Sequence, residues 1–225
     1  TLCFFKVPSV VVSEKLKNIF TKRYKTIPRL IFNGVDTEVF YPDKDEELLF
    51  RKSGKTAVTV FLREDYRKGS DICLDVLKRL GETELKDHAE IWTLGDGWDT
   101  KNGFEVKNFG FVKHERLRQI LSSSDIFFFP TRHEGFSLLI LEAMACGCAI
   151  VTTEAVECCQ DGVNALVSPI GDDLDLEEKL TLLAGDKDLR ERIARTALSN
   201  VKEYDIKKSK KELEEYILSG WIRNE

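Results

Sequence analysis

Two carboxylates, Glu134 and Glu142, stand eight positions apart in the stretch HEGFSLLILEAMACGCAIVTT, with Gly135 directly after the first. Eight residues is a little over two helical turns, so groups at that spacing on one helix lie on roughly the same side. Here the first precedes the helix and the second falls near its middle, with the helix N-terminus between them. Free amides at a helix start form a ready site for a phosphate. Two acids on either side of such a cradle suit hydroxyl recognition on both flanks of a phosphate, which is the layout of sugar, diphosphate and ribose in a nucleotide sugar. The same spacing also fits a plainer arrangement, in which Leu138, Leu139, Leu141, Ala143, Met144 and Ala145 line a buried helix and both glutamates are solvated.

Cations suited to a diphosphate occur in FLREDYRKGSD: Arg63 for bidentate recognition, Lys68 as a mobile point charge, and Arg67 as the nearby alternative. Their plainer reading is surface charge paired with Glu64 and Asp65. His133, beside an acid, is a candidate general base or binding group, whereas His88 and His114 read as structural. The six cysteines read as reduced thiols in a chain large enough to have its own core; Cys146, Cys148, Cys158 and Cys159 match no standard zinc spacing. No D-x-D pattern marks a metal site at a strand end.

These residues need a scaffold, and the pattern supplies one. Short β-branched runs at 9–12 and 29–32 bracket a helix that starts after the N-cap Ser13, and the charged stretch 36–54 reads as linker. Strands are expected at 56–62, 89–94, 105–109, 125–129, 148–152 and 165–167, with helices at 71–80, 115–122 and along the Glu142 segment. Helical spacing follows at 174–183, 187–201 and 207–218. Alternating strands and helices with short connections predict an α/β fold, a Rossmann-like doubly wound parallel sheet with a helical C-terminal segment. Such sheets bind ligands at the carboxyl ends of their strands, where Arg63 and His133-Glu134 both fall.

Composition bounds the function class. The 225 residues hold 42% hydrophobic and 32% charged side chains and a net charge of −5, ordinary for a globular protein and unfavourable for non-specific nucleic-acid binding. No run is apolar enough to predict a membrane span. The cluster Lys207 to Lys211 is either a membrane-surface patch or a solvated helix face beside Glu212, Glu214 and Glu215. The start TLCFFKVPSVVV has no leader pattern and no initiator methionine, which predicts a fragment.

Two segments carry a family resemblance. PTRHEGFSLLILEAMACGCAIV, from Pro130 to Val151, resembles the Glu-x7-Glu signature of GT-B glycosyltransferases of the large retaining family 4, the glycosyl transferases group 1. NGVDTEVFYP, from Asn33 to Pro42, resembles that family's crossover between two Rossmann domains. The resemblance implies the C-terminal, donor-binding half of a GT-B fold. Residues 1–34 would be a remnant of the acceptor domain, 35–54 the interdomain linker, 55–202 the nucleotide-sugar-binding domain, and 203–225 a C-terminal helix packing back on the first domain. Tyr216, Ile217 and Trp221 would then present an apolar face, exposed or docked.

By the same resemblance Glu134, Arg63 and Lys68 would be catalytic. Glu134 would contact the transferred hexosyl unit, and Arg63 with Lys68-Gly69 would neutralise the departing diphosphate. The amides of Gly135, Phe136, Ser137 and Leu138 would hold phosphate and sugar oxygens, Glu142 the ribose, and His133 would take a binding role. The turn Gly110-Phe111-Val112-Lys113 would read the base through its backbone, leaving UDP-, GDP- and ADP-sugars equally open. No cofactor and no metal are implied. The implied acceptor is a glycan or a lipid-linked acceptor held by the other domain, in the cytoplasm, with peripheral membrane contact as an alternative. Ser137 replaces the usual glycine, Cys148 the usual proline and Asn164-Ala165 the common Asn-Gly; Glu154 to Gly162 lacks the frequent Gly-Gly. The competing expectations are a nucleotide-sugar-binding module without transfer and a GT-B nucleotide-sugar epimerase; the pyridoxal-phosphate lysine context of a phosphorylase is absent.

Overall fold

A computed structural model describes residues 9–52, 54–98 and 103–222, with side chains to Ser219. The chain runs β1 (Val10–Val11), α1 (Glu14–Tyr24), β2 (Arg29–Leu30), α2 (Glu46–Arg51), β3 (Thr56–Leu62), α3 (Ser70–Leu80), α4 (Leu85–His88), β4 (Ala89–Gly95) and β5 (Glu105–Gly110). It continues through α5 (His114–Ser123), β6 (Ile126–Phe129), α6 (Leu138–Ala145), β7 (Ala149–Thr153), β8 (Leu166–Ser168), α7 (Asp173–Gly185), α8 (Lys187–Asn200) and α9 (Ile206–Ile222).

Six strands form one parallel sheet in the order β5-β4-β3-β6-β7-β8. The chain lays β4 and β5 on one side of β3, then crosses back to place β6, β7 and β8 on the other. The strand order therefore reverses between β3 and β6, and a crevice opens outside their carboxyl ends. Period-two alternation explains the two-sided core. Phe127 and Phe129 point with Trp92 and Leu94 toward Ile120, Leu121, Ile140 and Met144 of α5 and α6. Ile126 and Phe128 point the other way, with Val58, Val60 and Ile91, toward Val76 and Leu77 of α3 and Leu176 and Leu180 of α7. These strands are nearly continuous apolar runs because both faces are covered.

The stretch read as linker is more ordered than its charge suggested. Asp45 caps α2 by accepting from the Leu48 amide at 3.0 Å, and Phe40 and Leu48 are buried. Several of its charges are paired with neighbouring elements: Arg118 donates to Asp43 at 2.9 Å and to the Val39 carbonyl at 3.0 Å, Arg116 to Asp45 at 2.6 Å, and Lys52 to Asp125 at 2.8 Å. A run of charges looks like solvated linker only while its partners, some 70 residues away, are unknown.

At the N-terminal end, the two expected strands shorten to the parallel pair β1 and β2. The segment after β2 meets the segment before α9 where the Val35 amide donates to the Tyr204 carbonyl at 2.8 Å and the Ile206 amide to the Val35 carbonyl at 2.9 Å. Gly34 permits this: a Cβ there would collide with the backbone of Ile206. From that junction α9 runs back toward β1, and the Tyr216 hydroxyl donates to the Ser9 carbonyl at 3.5 Å. Trp221, expected on the same apolar face, lies outside the described side chains.

Candidate functional site

The crevice between β3 and β6 collects groups from both strand ends. After β3 the chain makes a tight turn, with Asp65 accepting from the Arg67 amide at 3.0 Å and Tyr66–Lys68 forming a 3₁₀ turn. Gly69 then takes a left-handed conformation (φ 67°) and starts α3. The position demands glycine twice over, since a Cβ would also collide with the Pro130 carbonyl on the β6 side. This close approach lets the Arg67 carbonyl accept from the Thr131 hydroxyl at 2.7 Å and the Arg132 amide at 2.8 Å. The two loops are thereby locked together.

Across that contact Lys68 Nζ lies 2.8 Å from Glu134 Oε1, with side chains 26% and 9% exposed. Thr131 Oγ1 lies 3.3 Å from the same carboxylate oxygen, and the ammonium sits 5.6 Å from the centre of the Phe129 ring. A pair this sheltered needs its partner, because an uncompensated charge there is costly. Arg63 is different. Its backbone is fixed by Ser70, whose hydroxyl accepts from the Arg63 amide at 2.9 Å and donates to its carbonyl at 2.8 Å, while its side chain is exposed and makes no ion pair among the described residues. Arg67, the alternative cation, is engaged: its guanidinium grips Asp65 at 2.8 and 3.1 Å and holds that carboxyl down to about 2.

On the β6 side, Gly135 faces open space, where a Cβ would meet no atom within 4 Å. Nothing in the packing of the protein requires glycine there. Ser137 occupies the N-cap of α6 without a side-chain cap bond, so the first amides of the helix lack a side-chain acceptor. Leu138 is exposed on the first turn, whereas Phe136 is buried against Phe32 and Tyr204 at ring-centre distances of 5.2 and 5.4 Å. Glu142 is half-buried in mid-helix, its carboxyl makes no hydrogen bond among the described residues, and burial pushes that carboxyl up to about 7. His133 is exposed; its amide donates to the Arg67 carbonyl at 3.3 Å.

Beyond β4 and β5 lies a small, mostly apolar cavity of about 90 Å³, lined by Phe61, Leu94, Gly110, Phe111, Val112 and Leu139 among others. Lys113 occupies the N-cap position of the following helix without a side-chain cap bond and is exposed. Val112 thus joins the cavity and Lys113 only its rim by sequence. Phe111, part of the same turn, is 72% exposed on this cavity.

Arg132 was not singled out from the sequence. It donates to both Asp71 oxygens at 2.7 and 2.6 Å and to the Tyr66 carbonyl at 2.9 Å, and lies 4.1 Å from the Tyr66 ring centre. That staple ties the Glu134 loop to the start of α3. Cys148, in place of proline, uses the amide that proline lacks, donating to the Ala143 carbonyl at 3.0 Å. Among the described residues no three His, Cys, Asp or Glu side chains gather as metal ligands, and no helix is long and apolar enough to cross a membrane.

The parallel α/β architecture, with cations at one strand end and an acid at the next, matches that of GT-B glycosyltransferase structures. Residues 56–186 match the family model of the glycosyl transferases group 1, and the chain belongs to that family. The N,N'-diacetylbacillosaminyl-diphospho-undecaprenol alpha-1,3-N-acetylgalactosaminyltransferase of Campylobacter jejuni is 30% identical over 190 residues, 76% of this chain and 49% of its own length. HepE of Anabaena, solved with UDP-glucose, shares the fold at a TM-score of 0.79 and 20% identity over 94% of this chain and 64% of its own. The C-terminal domain of the group 1 protein LpcC from Francisella tularensis matches over 77% of this chain and 100% of its own, with a TM-score of 0.66 and 24% identity. The chain spans about half the length of the Campylobacter relative.

Proposed function

We propose that this chain is the donor-binding half of a retaining glycosyltransferase that moves a hexosyl unit from a nucleoside diphosphate sugar to an acceptor. The observation that carries this reading is the Lys68–Glu134 pair, 2.8 Å across the switch-point crevice beside the uncapped start of α6. A diphosphate entering there meets Arg63 from the β3 side, Lys68 from the shared turn, and the amides of Gly135, Phe136, Ser137 and Leu138. These groups stabilise the charge that grows on the leaving diphosphate, so their contribution is largest in the transition state. Glu134, released from Lys68 as the ammonium turns to phosphate, faces the sugar and stabilises positive charge developing at the anomeric carbon.

Glu142 takes the ribose hydroxyls, and the cavity at Gly110 and Val112 takes the base, with Lys113 and His133 at the periphery. Positive side chains and helix amides meet the diphosphate charge, and the proposal includes no metal. Neither the base nor the sugar is specified by these contacts; UDP, GDP and ADP donors all satisfy them. The acceptor, a glycan or a lipid-linked acceptor, would be held by a separate N-terminal domain, in the cytoplasm or at a membrane surface. The Campylobacter relative's name describes a diphospho-undecaprenol acceptor, which supports the lipid-linked class. By itself the chain would bind donor and transfer sugar poorly.

Titration calorimetry of the chain with UDP, GDP and ADP tests this. At least one binds at a single site, and Glu142→Ala weakens that binding; if none of the three binds, the donor-site reading is wrong.

A further inference from the structure

Three aromatic rings from three distant segments meet behind the crevice. Phe32 lies between β2 and the crossover, directly before Asn33, Phe136 in the loop that carries Glu134 and Gly135, and Tyr204 in the C-terminal return just before α9. Their centres are mutually 5.2 Å (Phe32–Phe136), 5.4 Å (Phe136–Tyr204) and 5.6 Å (Phe32–Tyr204) apart. Tilted and edge-on pairs at such distances add attraction beyond area burial. Phe32 and Tyr204 are also joined through the main chain, since Val35 and Tyr204–Ile206 exchange hydrogen bonds at 2.8 and 2.9 Å. Thr37 adds a bond to Asp205 at 2.6 Å. Crossover and return therefore behave as one body, and Phe136 is the ring by which the Glu134 loop is attached to it.

The other side of that loop is fixed independently. Arg132 is held by Asp71 and Tyr66, and Thr131 by the Arg67 carbonyl. Between these anchors lie His133, Glu134 and Gly135, and Gly135 has open space around it. A segment clamped at one end to the sheet and at the other to the crossover must respond when the crossover shifts.

We propose that Phe32 and Tyr204 are positioning residues for the Glu134 loop, coupling its geometry through Phe136 to the crossover and C-terminal return. This rests on the donor-site reading for its functional meaning, while the coupling itself is a property of the unliganded chain. The device acts through the ring faces, so the Tyr204 hydroxyl is dispensable.

Site-resolved amide hydrogen exchange tests it in two arms. Without nucleotide, Tyr204→Ala and Phe32→Ala each speed exchange at residues 133–138 by about ten-fold, while Tyr204→Phe matches the parent and amides of β3 and β4 are unchanged in all three. Unchanged exchange at 133–138 in Tyr204→Ala overturns the coupling. With saturating UDP, or whichever of GDP and ADP binds, exchange of the Val35 and Ile206 amides slows in the parent, because coupling is reciprocal. Tyr204→Ala abolishes that slowing while nucleotide still binds. Nucleotide bound with no slowing in the parent overturns the proposal and leaves the donor site standing. Failure of all three nucleotides to bind overturns the donor reading instead, and the first arm still decides the coupling.

Discussion

Glu142 combines burial with the absence of an ion-pairing partner among the described residues, and its carboxyl is pushed up to about 7 from an ordinary 4.5. Between those values the unfolded chain has lost the proton while the folded chain still holds it. Stability should therefore fall as pH rises from about 4.5 to about 7 and level off above. Glu142→Gln should flatten that decline, as read by urea unfolding at a series of pH values. The ionised carboxylate is the form that accepts from ribose hydroxyls, and its fraction rises about ten-fold between pH 6 and pH 8. Nucleotide affinity should climb over the same interval and lose that climb in Glu142→Gln. The two arginines after β3 make a sharper contrast. Arg63 has no ion pair among the described residues, whereas Arg67 is committed to Asp65. Arg63→Ala should weaken nucleoside diphosphate binding by about ten-fold or more, since hydrogen bonds to charged groups contribute about 1.5–3 kcal/mol. Arg67→Ala should cost distinctly less in the same titration. The sequence ranked Arg63 ahead of Arg67 only through the family resemblance, because both lie within a few residues of Glu64 and Asp65 and geometry is what shows which is engaged.

The turn between β3 and α3 and the edge strand β5 carry the predictions that belong to elements. At Gly69 the left-handed backbone and the nearby Pro130 carbonyl leave no room for a side chain. Gly69→Ala should destabilise the domain by at least about 2 kcal/mol and weaken nucleotide binding as well, because the same turn carries Lys68. On β4, Glu90 is fully buried and receives Lys107 of β5 at 2.8 and 2.9 Å, together with the Trp92 indole at 2.6 Å. Lys107→Met leaves that carboxylate without its counter-charge and should cost roughly 3–5 kcal/mol in denaturant unfolding. The double change Glu90→Gln with Lys107→Met should recover much of the loss. Nearly continuous apolar runs made β3, β4, β6 and β7 legible in the sequence, because a strand buried on both faces carries apolar residues at successive positions. The ordered packing of residues 36–54 was not legible. It depends on ion pairs to Arg116 and Arg118, and spacing along the chain cannot show pairs made through space.

At the scale of the molecule, the strand order places the ends of β3 and β6 side by side, so residues separated by 66 positions meet as Lys68 and Glu134. The two motifs were readable one at a time; the staple from Arg132 to Asp71 and the ring cluster of Phe32, Phe136 and Tyr204 needed the fold. The central claim is the location of the ligand. Amide chemical-shift mapping of the isotopically labelled chain during titration with UDP, GDP and ADP tests it most directly. The largest shifts should fall at Gly69, at Gly135 to Leu138 and at Gly110 to Val112, all outside the carboxyl ends of the sheet. Saturable binding with those amides unmoved, and shifts centred instead on the groove between Tyr41 and Leu198, would contradict the account.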